Sequence, residues 1–429
     1  MADLRPLALL VEAAVIERVV VVGSPPHDAR DLDVLAHPGA MRQLEETLAA
    51  AGFDQRGHTW ARFGSGRAEV VDLLPAAGCG LPAPAVDALF DQAVPLPGFR
   101  YVCLPAAHHV LLLLAWRLGP TPGRLSVRRA ARVDAAIAAD PAAWAAAAGE
   151  ASVWAAGEGL AALRSVHAGH GSSPVRPPRP LRARARLARR RRGRLVALSG
   201  LDGAGKSTLA RALAEALGVL GYDARVEWTR ITYNPSLDVI ARPVKRALAA
   251  VTRARPSPGG ASVSSTAAYP PPVGGSVPGL AVGSSPAMEL RRRSRLVDRV
   301  WVTIVALANA WSLGPGTRRH LRRGQMVIRD RYVLDSTVGL FDRYGSSHRW
   351  PARLIGWLTP RPACAFYLDV RAETALARKP EEWDLAALAR HRASYLEWAP
   401  VLGASVIDAD RPWAEVFAEV ATLVWRACP

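Results

Sequence analysis

The chain has 429 residues, half of them hydrophobic, which allows two or three domains with cores of their own. Its formal net charge of +18 points to an anionic partner, yet Arg176, Arg179, Arg182, Arg184, Arg186, Arg189, Arg190, Arg191, Arg192 and Arg194 crowd into one stretch free of acids and supply more than half of the excess. The four cysteines, Cys79, Cys103, Cys364 and Cys428, are far apart with no CxxC or Cys/His ligand spacing, which indicates neither a disulfide framework nor a zinc site and suits a reducing cytoplasm.

The N-terminal MADLRPLALLVEAAV carries two early acids and no small-residue cleavage site, so it does not read as a signal peptide. Ile16–Val22 is a β-branched run and predicts a buried strand. Met41–Ala51 predicts an amphipathic helix, and Glu69–Leu74 (EVVDLL) a second strand. Residues 1–103 thus read as one α+β domain. Residues 104–170 are rich in Ala and Leu and read as a helical lobe. Residues 171–194 form a basic Pro/Arg linker. It is a candidate contact for nucleic acid, but no aromatic interrupts it to stack on bases, and a solvated linker is the simpler reading.

From 195 to 429 a βα rhythm sets in. Strands are expected at Leu195–Leu198, Arg225–Trp228, Met326–Arg329, Ala363–Leu368 and Ser405–Ile407, with a helix at Lys206–Leu217. Strands alternating with helices imply an α/β fold with a five-stranded parallel sheet. Residues 257–286 are rich in Pro, Gly and Ser and read as a disordered insertion. The longest apolar runs, His109–Trp116 and Val300–Leu313, fall short of the roughly 20 residues that cross a bilayer; both are expected to be buried helices, with no membrane span.

The most specific signal is Gly200-Leu201-Asp202-Gly203-Ala204-Gly205-Lys206-Ser207, followed by Thr208. It fits G-x-x-x-x-G-K-[ST], the phosphate-binding P-loop (Walker A). Glycines bring backbone N–H groups around phosphates, the lysine neutralises the β/γ charge, and the serine hydroxyl ligates magnesium. ATP and Mg2+ are the cofactors so implied.

Around this loop stand further motifs: Gln325-Met-Val-Ile-Arg-Asp-Arg-Tyr332, Ser336, Phe366-Tyr-Leu-Asp-Val370 and Val406-Ile-Asp-Ala409. In this order residues 195–425 resemble the thymidylate kinase family. The resemblance implies a cytoplasmic nucleoside-monophosphate kinase that converts dTMP to dTDP. It implies catalytic roles for Lys206, Asp202, Asp330, Arg331 and Arg378, with Lys379 beside Arg378 in the lid. Asp330 would hold magnesium through water, in the Walker B manner, and Arg331 would bridge donor and acceptor. The acceptor would meet Arg230, Arg299, Arg331, Tyr332 and Ser336. Arg299 equally fits a solvated face of an Arg-rich helix. Dimerisation is common in that family, and the Val300–Leu313 helix is the candidate interface. Gly203 replaces a basic side chain of that family's P-loop, so the resemblance implies that a lid cation supplies the transition-state charge. The segment after Ser336 (TVGLFDRYG) lacks the family's Tyr-Gln pair, so the acceptor half reads as remodelled. Alternatives are a kinase of a non-nucleotide small molecule, or an ATP-binding sensor or adaptor without turnover.

Near the N-terminus, Gly23-Ser24 is followed by Asp31-Leu32-Asp33, and Asp72 lies in the EVVDLL strand. This resembles the nucleotidyltransferase superfamily. The resemblance implies a triphosphate on Gly23 and Ser24 and metal ions on Asp31, Asp33 and Asp72. Acids at i and i+2 of a strand share one face, so a third from a neighbouring strand can join them. Ordinary loop acids are the other reading. His108 and His109 precede VLLLLAW and are assigned no ligand role.

Overall fold

A computed structural model describes residues 5–14, 17–23, 31–76, 79, 81–116, 125, 127–153, 157–169, 193–228, 295–344, 349–380 and 384–427. Ser24, Arg230, Cys428, residues 171–192 of the basic linker and the insertion at 257–286 lie outside them. The chain clusters into two compact units, residues 1–64 with 68–184 and residues 65–67 with 185–429, which are taken in turn. Among the described residues no helix is long and apolar enough to cross a membrane.

The first unit contains α1 (Arg5–Ala14), β1 (Val19–Val21), β2 (Leu32–Ala36), α2 (Pro38–Ala50), β3 (Asp54–Arg56), β4 (Thr59–Gly64), β5 (Arg67–Pro75), α3 (Ala83–Asp91), β6 (Val94–Pro95) and β7 (Val102–Leu104). Its mixed sheet runs β3-β4-β5-β2-β1-β7-β6. The valines of β1 are buried on both faces, which explains the unbroken apolar run. Val19 and Val21 pack with Leu7 and Val11 of α1 and Leu44 and Leu48 of α2. Val20 faces the other way, onto Leu89 and Phe90 of α3. Each such valine contributes about 1.5–3 kcal/mol by leaving water. The Glu12 carboxylate on α1 accepts the backbone N–H groups of Tyr101 and Val102 at 2.8 and 2.9 Å. Four helices follow: α4 (Ala107–Trp116), α5 (Val127–Ala139), α6 (Ala143–Val153) and α7 (Gly157–Ala168). They share a core of Leu111, Leu112, Val133, Ala147 and Leu163.

The second unit contains β8 (Leu195–Gly200), α8 (Lys206–Val219), β9 (Ala224–Trp228), α9 (Arg295–Arg322), β10 (Met326–Asp330), α10 (Val333–Tyr344), α11 (Trp350–Leu358), β11 (Cys364–Asp369), α12 (Ala372–Arg378), α13 (Leu385–Val401), β12 (Ser405–Asp408) and α14 (Trp413–Ala427). Its sheet runs β12-β11-β8-β10-β9, and every pairing is parallel. All six residues of β8 are buried, as a central strand covered on both faces requires. The chain leaves β8 for β9 and β10 on one side, then crosses to β11 and β12 on the other. The carboxyl end of β8 is therefore a topological switch point, the usual place for a ligand crevice in an open α/β sheet.

One expectation needs correction. Val300–Leu313, expected to be a buried helix, lies within α9 and is buried on one face only. Val302, Val305, Ala306 and Leu313 join the core, whereas Val300, Leu307 and Trp311 are exposed. The run is mostly apolar, but the sheet, α10 and α11 cover only one side of it.

Candidate functional site

Gly200 to Ser207 joins the end of β8 to the start of α8, at the switch point. Its conformation depends on glycine. Gly203 has φ of 91°, and a Cβ there would meet the backbone oxygen of Ala375 in α12 at 2.7 Å. The lysine that follows is tied inward: Lys206 Nζ donates to the carbonyls of Gly200 at 2.8 Å and Leu201 at 2.7 Å. Its ammonium lies 3.8 Å from Asp202 Oδ1. Burial lowers the Lys206 pKa and the neighbouring Arg331 adds to this, while Asp202, Asp335 and Asp330 oppose them. The first turn of α8 leaves Ser207 and Thr208 exposed.

Strand β10 delivers the opposing wall. Asp330 ends it in register with Leu198, and Ser207 Oγ donates to Asp330 Oδ2 at 2.5 Å. Asp330 Oδ1 is buried and makes no hydrogen bond. The Ser207 hydroxyl and the two oxygens of the Asp330 carboxylate, one of them buried and spare, form a donor set suited to a hard cation such as Mg2+. The next residue, Arg331, holds a positive φ of 75°, uncommon for a side chain of this size. Its N–H donates to Leu198 O at 2.9 Å, and its guanidinium pairs with Asp202. Burial works against the Arg331 charge, but the carboxylates of Asp202 and Asp335 overrule it and raise the pKa.

The remaining expected residues fall in different places. Arg378 Nη1 donates to the Gly203 carbonyl at 3.2 Å, so α12 brings a cation to the loop. Lys379 is exposed just beyond it. Tyr332 turns into the core, 2 % exposed. Its hydroxyl donates to Pro360 O at 2.7 Å, and burial pushes its pKa up to about 12. Ser336 is buried, with a hydroxyl that makes no hydrogen bond. Arg299 is exposed on α9, and no interaction of the described residues joins it to the loop. A cavity of about 930 Å³ near Trp357, Pro360 and Phe366 touches this region only through Ser199 and Tyr332 to Leu334.

Sequence reasoning missed Asp335 and Tyr395. Asp335, in the first turn of α10, accepts the Tyr332 N–H at 3.0 Å and the Tyr395 hydroxyl at 2.9 Å, with the Gly200 N–H at 3.5 Å. The Tyr395 ring stacks on Tyr367, with centroids 5.0 Å apart. Tyr367 donates to Asp369, which Arg392 of α13 clasps with two hydrogen bonds. An acid in a first helical turn is ordinary in sequence, and Tyr395 stands 60 residues away, so nothing local marks the pair.

In the first unit, Asp33 of β2 lies opposite Asp72 of β5. Asp31 immediately precedes β2 rather than lying in it. The carboxylates of Asp31, Asp33 and Asp72 offer oxygens all within 4.8 Å of one another. Thr59 Oγ1 donates to Asp72 Oδ1 at 2.5 Å. Gly23 backs onto this cluster so closely that a Cβ there would run into the Asp33 carboxylate. Arg132 of α5 donates to Val22 O at 2.6 Å, at the end of β1.

No protein-family profile and no curated protein matches this chain.

Proposed function

We propose that residues 195–429 form an ATP- and Mg2+-dependent phosphotransferase acting on a nucleoside monophosphate, with dTMP the first candidate acceptor. The reading rests on the resemblance of the motif order to thymidylate kinases. The observation that carries it is the Ser207–Asp330 pair, 2.5 Å apart, with the second Asp330 oxygen buried and unpaired at the mouth of a glycine loop.

The Ser207 hydroxyl and Asp330 carboxylate would hold Mg2+ directly or through water. Bound there, the ion would neutralise charge on the donor's phosphate oxygens. Lys206 would exchange the carbonyls of Gly200 and Leu201 for phosphate oxygens, and the α8 N-terminus adds its dipole. Arg378, which reaches the Gly203 carbonyl from α12, would contribute a further cation as a lid residue. Arg331, held by Asp202, is the candidate bridge to the acceptor. Phosphoryl transfer asks mainly for this alignment and electrostatic support.

ADP release measured with Mg2+ and ATP should rise on adding dTMP or another member of a monophosphate panel, and Lys206→Ala should abolish the rise. Tight ATP binding with no acceptor-dependent turnover across nucleotide and non-nucleotide acceptors would favour the sensor or adaptor reading instead.

A second reading concerns the first unit. The three carboxylates, gathered within 4.8 Å, support a nucleotidyltransferase-like head with a two-metal site. Mg2+-dependent incorporation of label from nucleoside triphosphates, lost in Asp33→Asn, would test it.

A further inference from the structure

Away from both sites, the helical lobe brings together the ionisable side chains of two otherwise apolar helices. Helix α4 reads AHHVLLLLAW and α6 reads AWAAAAGEASV. His108 and His109 are the only ionisable residues of the first, and Glu150 of the second. Ala143, Ala147 and Ala151 form the buried face of α6, and their small side chains let the helices pack closely. His108 Nε2 lies 2.9 Å from Glu150 Oε1 and His109 Nε2 lies 3.0 Å from Glu150 Oε2. The two rings lie side by side, with centroids 4.2 Å apart. One donor atom from each residue falls within 4.8 Å of the other two. His109 is fully buried while Glu150 keeps 22 % of its side chain exposed, so the cluster is closed on one side and reaches solvent on the other.

We propose that His108 Nε2, His109 Nε2 and the Glu150 carboxylate bind one transition-metal ion of the zinc class, with water completing its coordination. Two imidazoles and a carboxylate are a donor set of zinc sites that keep one position open. Magnesium and calcium prefer oxygen alone, which separates this cluster from the three aspartates. With metal–ligand bonds of about 2.0–2.2 Å, neighbouring donors of a tetrahedral ion stand roughly 3.3 Å apart. The nitrogen–oxygen separations here are only a few tenths of an ångström shorter, an adjustment of one side chain. No sequence motif announces the site, because the carboxylate arrives from a different helix 41 residues after His109.

The test uses untagged full-length protein, stripped with a chelator, incubated with zinc chloride and desalted. Elemental analysis should find one zinc per chain. Glu150→Gln should lower zinc affinity at least tenfold, whereas Asp33→Asn should leave it unchanged. Cobalt(II) should give visible d–d absorption in the native protein and lose it in Glu150→Gln. Circular dichroism checks that the variant folds; if it does not, His108→Gln, at the more exposed of the two imidazoles, provides the same comparison. Sub-stoichiometric zinc on the folded native protein, or undiminished zinc in a folded variant, would overturn the assignment and leave a hydrogen-bonded triad.

Discussion

The Tyr395 hydroxyl donates to the Asp335 carboxylate at 2.9 Å, both groups buried. This bond ties α13 to the turn that carries Arg331, and Asp335 reaches on towards the Gly200 N–H. Removing the hydroxyl leaves a buried carboxylate oxygen short of a donor. Tyr395→Phe should therefore lower the unfolding free energy by about 1–3 kcal/mol, read from urea titrations. A stability equal to that of the native protein would show that the bond is idle.

Ser207 and Asp330 are expected to act on nucleotide affinity only when the divalent ion is present. Ser207→Ala and Asp330→Asn should each weaken Mg2+-dependent ATP binding by at least about tenfold, roughly 1.4 kcal/mol. Binding measured in chelator should change little. Titrations with a fluorescent ATP analogue separate the two conditions, and equal losses in both would argue against a metal at this pair.

Tyr332 gives the second unit an alkaline limit. Its phenol is held neutral by burial, with a pKa pushed from 10.0 up to about 12. A folded pKa above the unfolded one stabilises the protein fully below about pH 10, and that stability is lost as pH rises through about 12. The two-unit gap corresponds to at most about 3 kcal/mol. Urea unfolding between pH 9 and 12 should show the decline, and Tyr332→Phe should lessen it, the buried phenols of Tyr367 and Tyr395, also raised, accounting for the rest.

Gly23 and Asp33 are coupled by steric contact. Gly23→Ala should destabilise the first unit by about 1–3 kcal/mol, the usual cost of overpacking. Asp33→Ala removes the group it collides with, so the double variant should recover part of the loss. A double-mutant cycle on unfolding free energies checks this; strict additivity would show that the carboxylate moves aside freely.

Much of the architecture was legible because it is written in local periodicity. The valine run before Gly23 and the five strand segments expected from Leu195 onward match strands within a few residues. The junction of β8, glycine loop and α8 follows from the motif itself. Short polar strands such as β3 (DQR) were not legible, since alternation over three residues carries no period. The half-exposed face of α9 was missed because an apolar run does not say how many of its sides the protein covers. The convergence of Asp335 with Tyr395, and of His108 and His109 with Glu150, depends on helix packing across 60 and about 40 residues, which no single-sequence pattern encodes.

The contact between Gly203 and α12 is made by backbone on both sides: an α-carbon with no side chain against the carbonyl of Ala375. Every amino acid presents a carbonyl, so substitutions at 375 that respect its packing leave the contact intact. Position 203 has no such freedom. Evolutionary drift should therefore be lopsided across this contact, with relatives that pack this helix backbone against the loop varying at 375 while keeping glycine at 203.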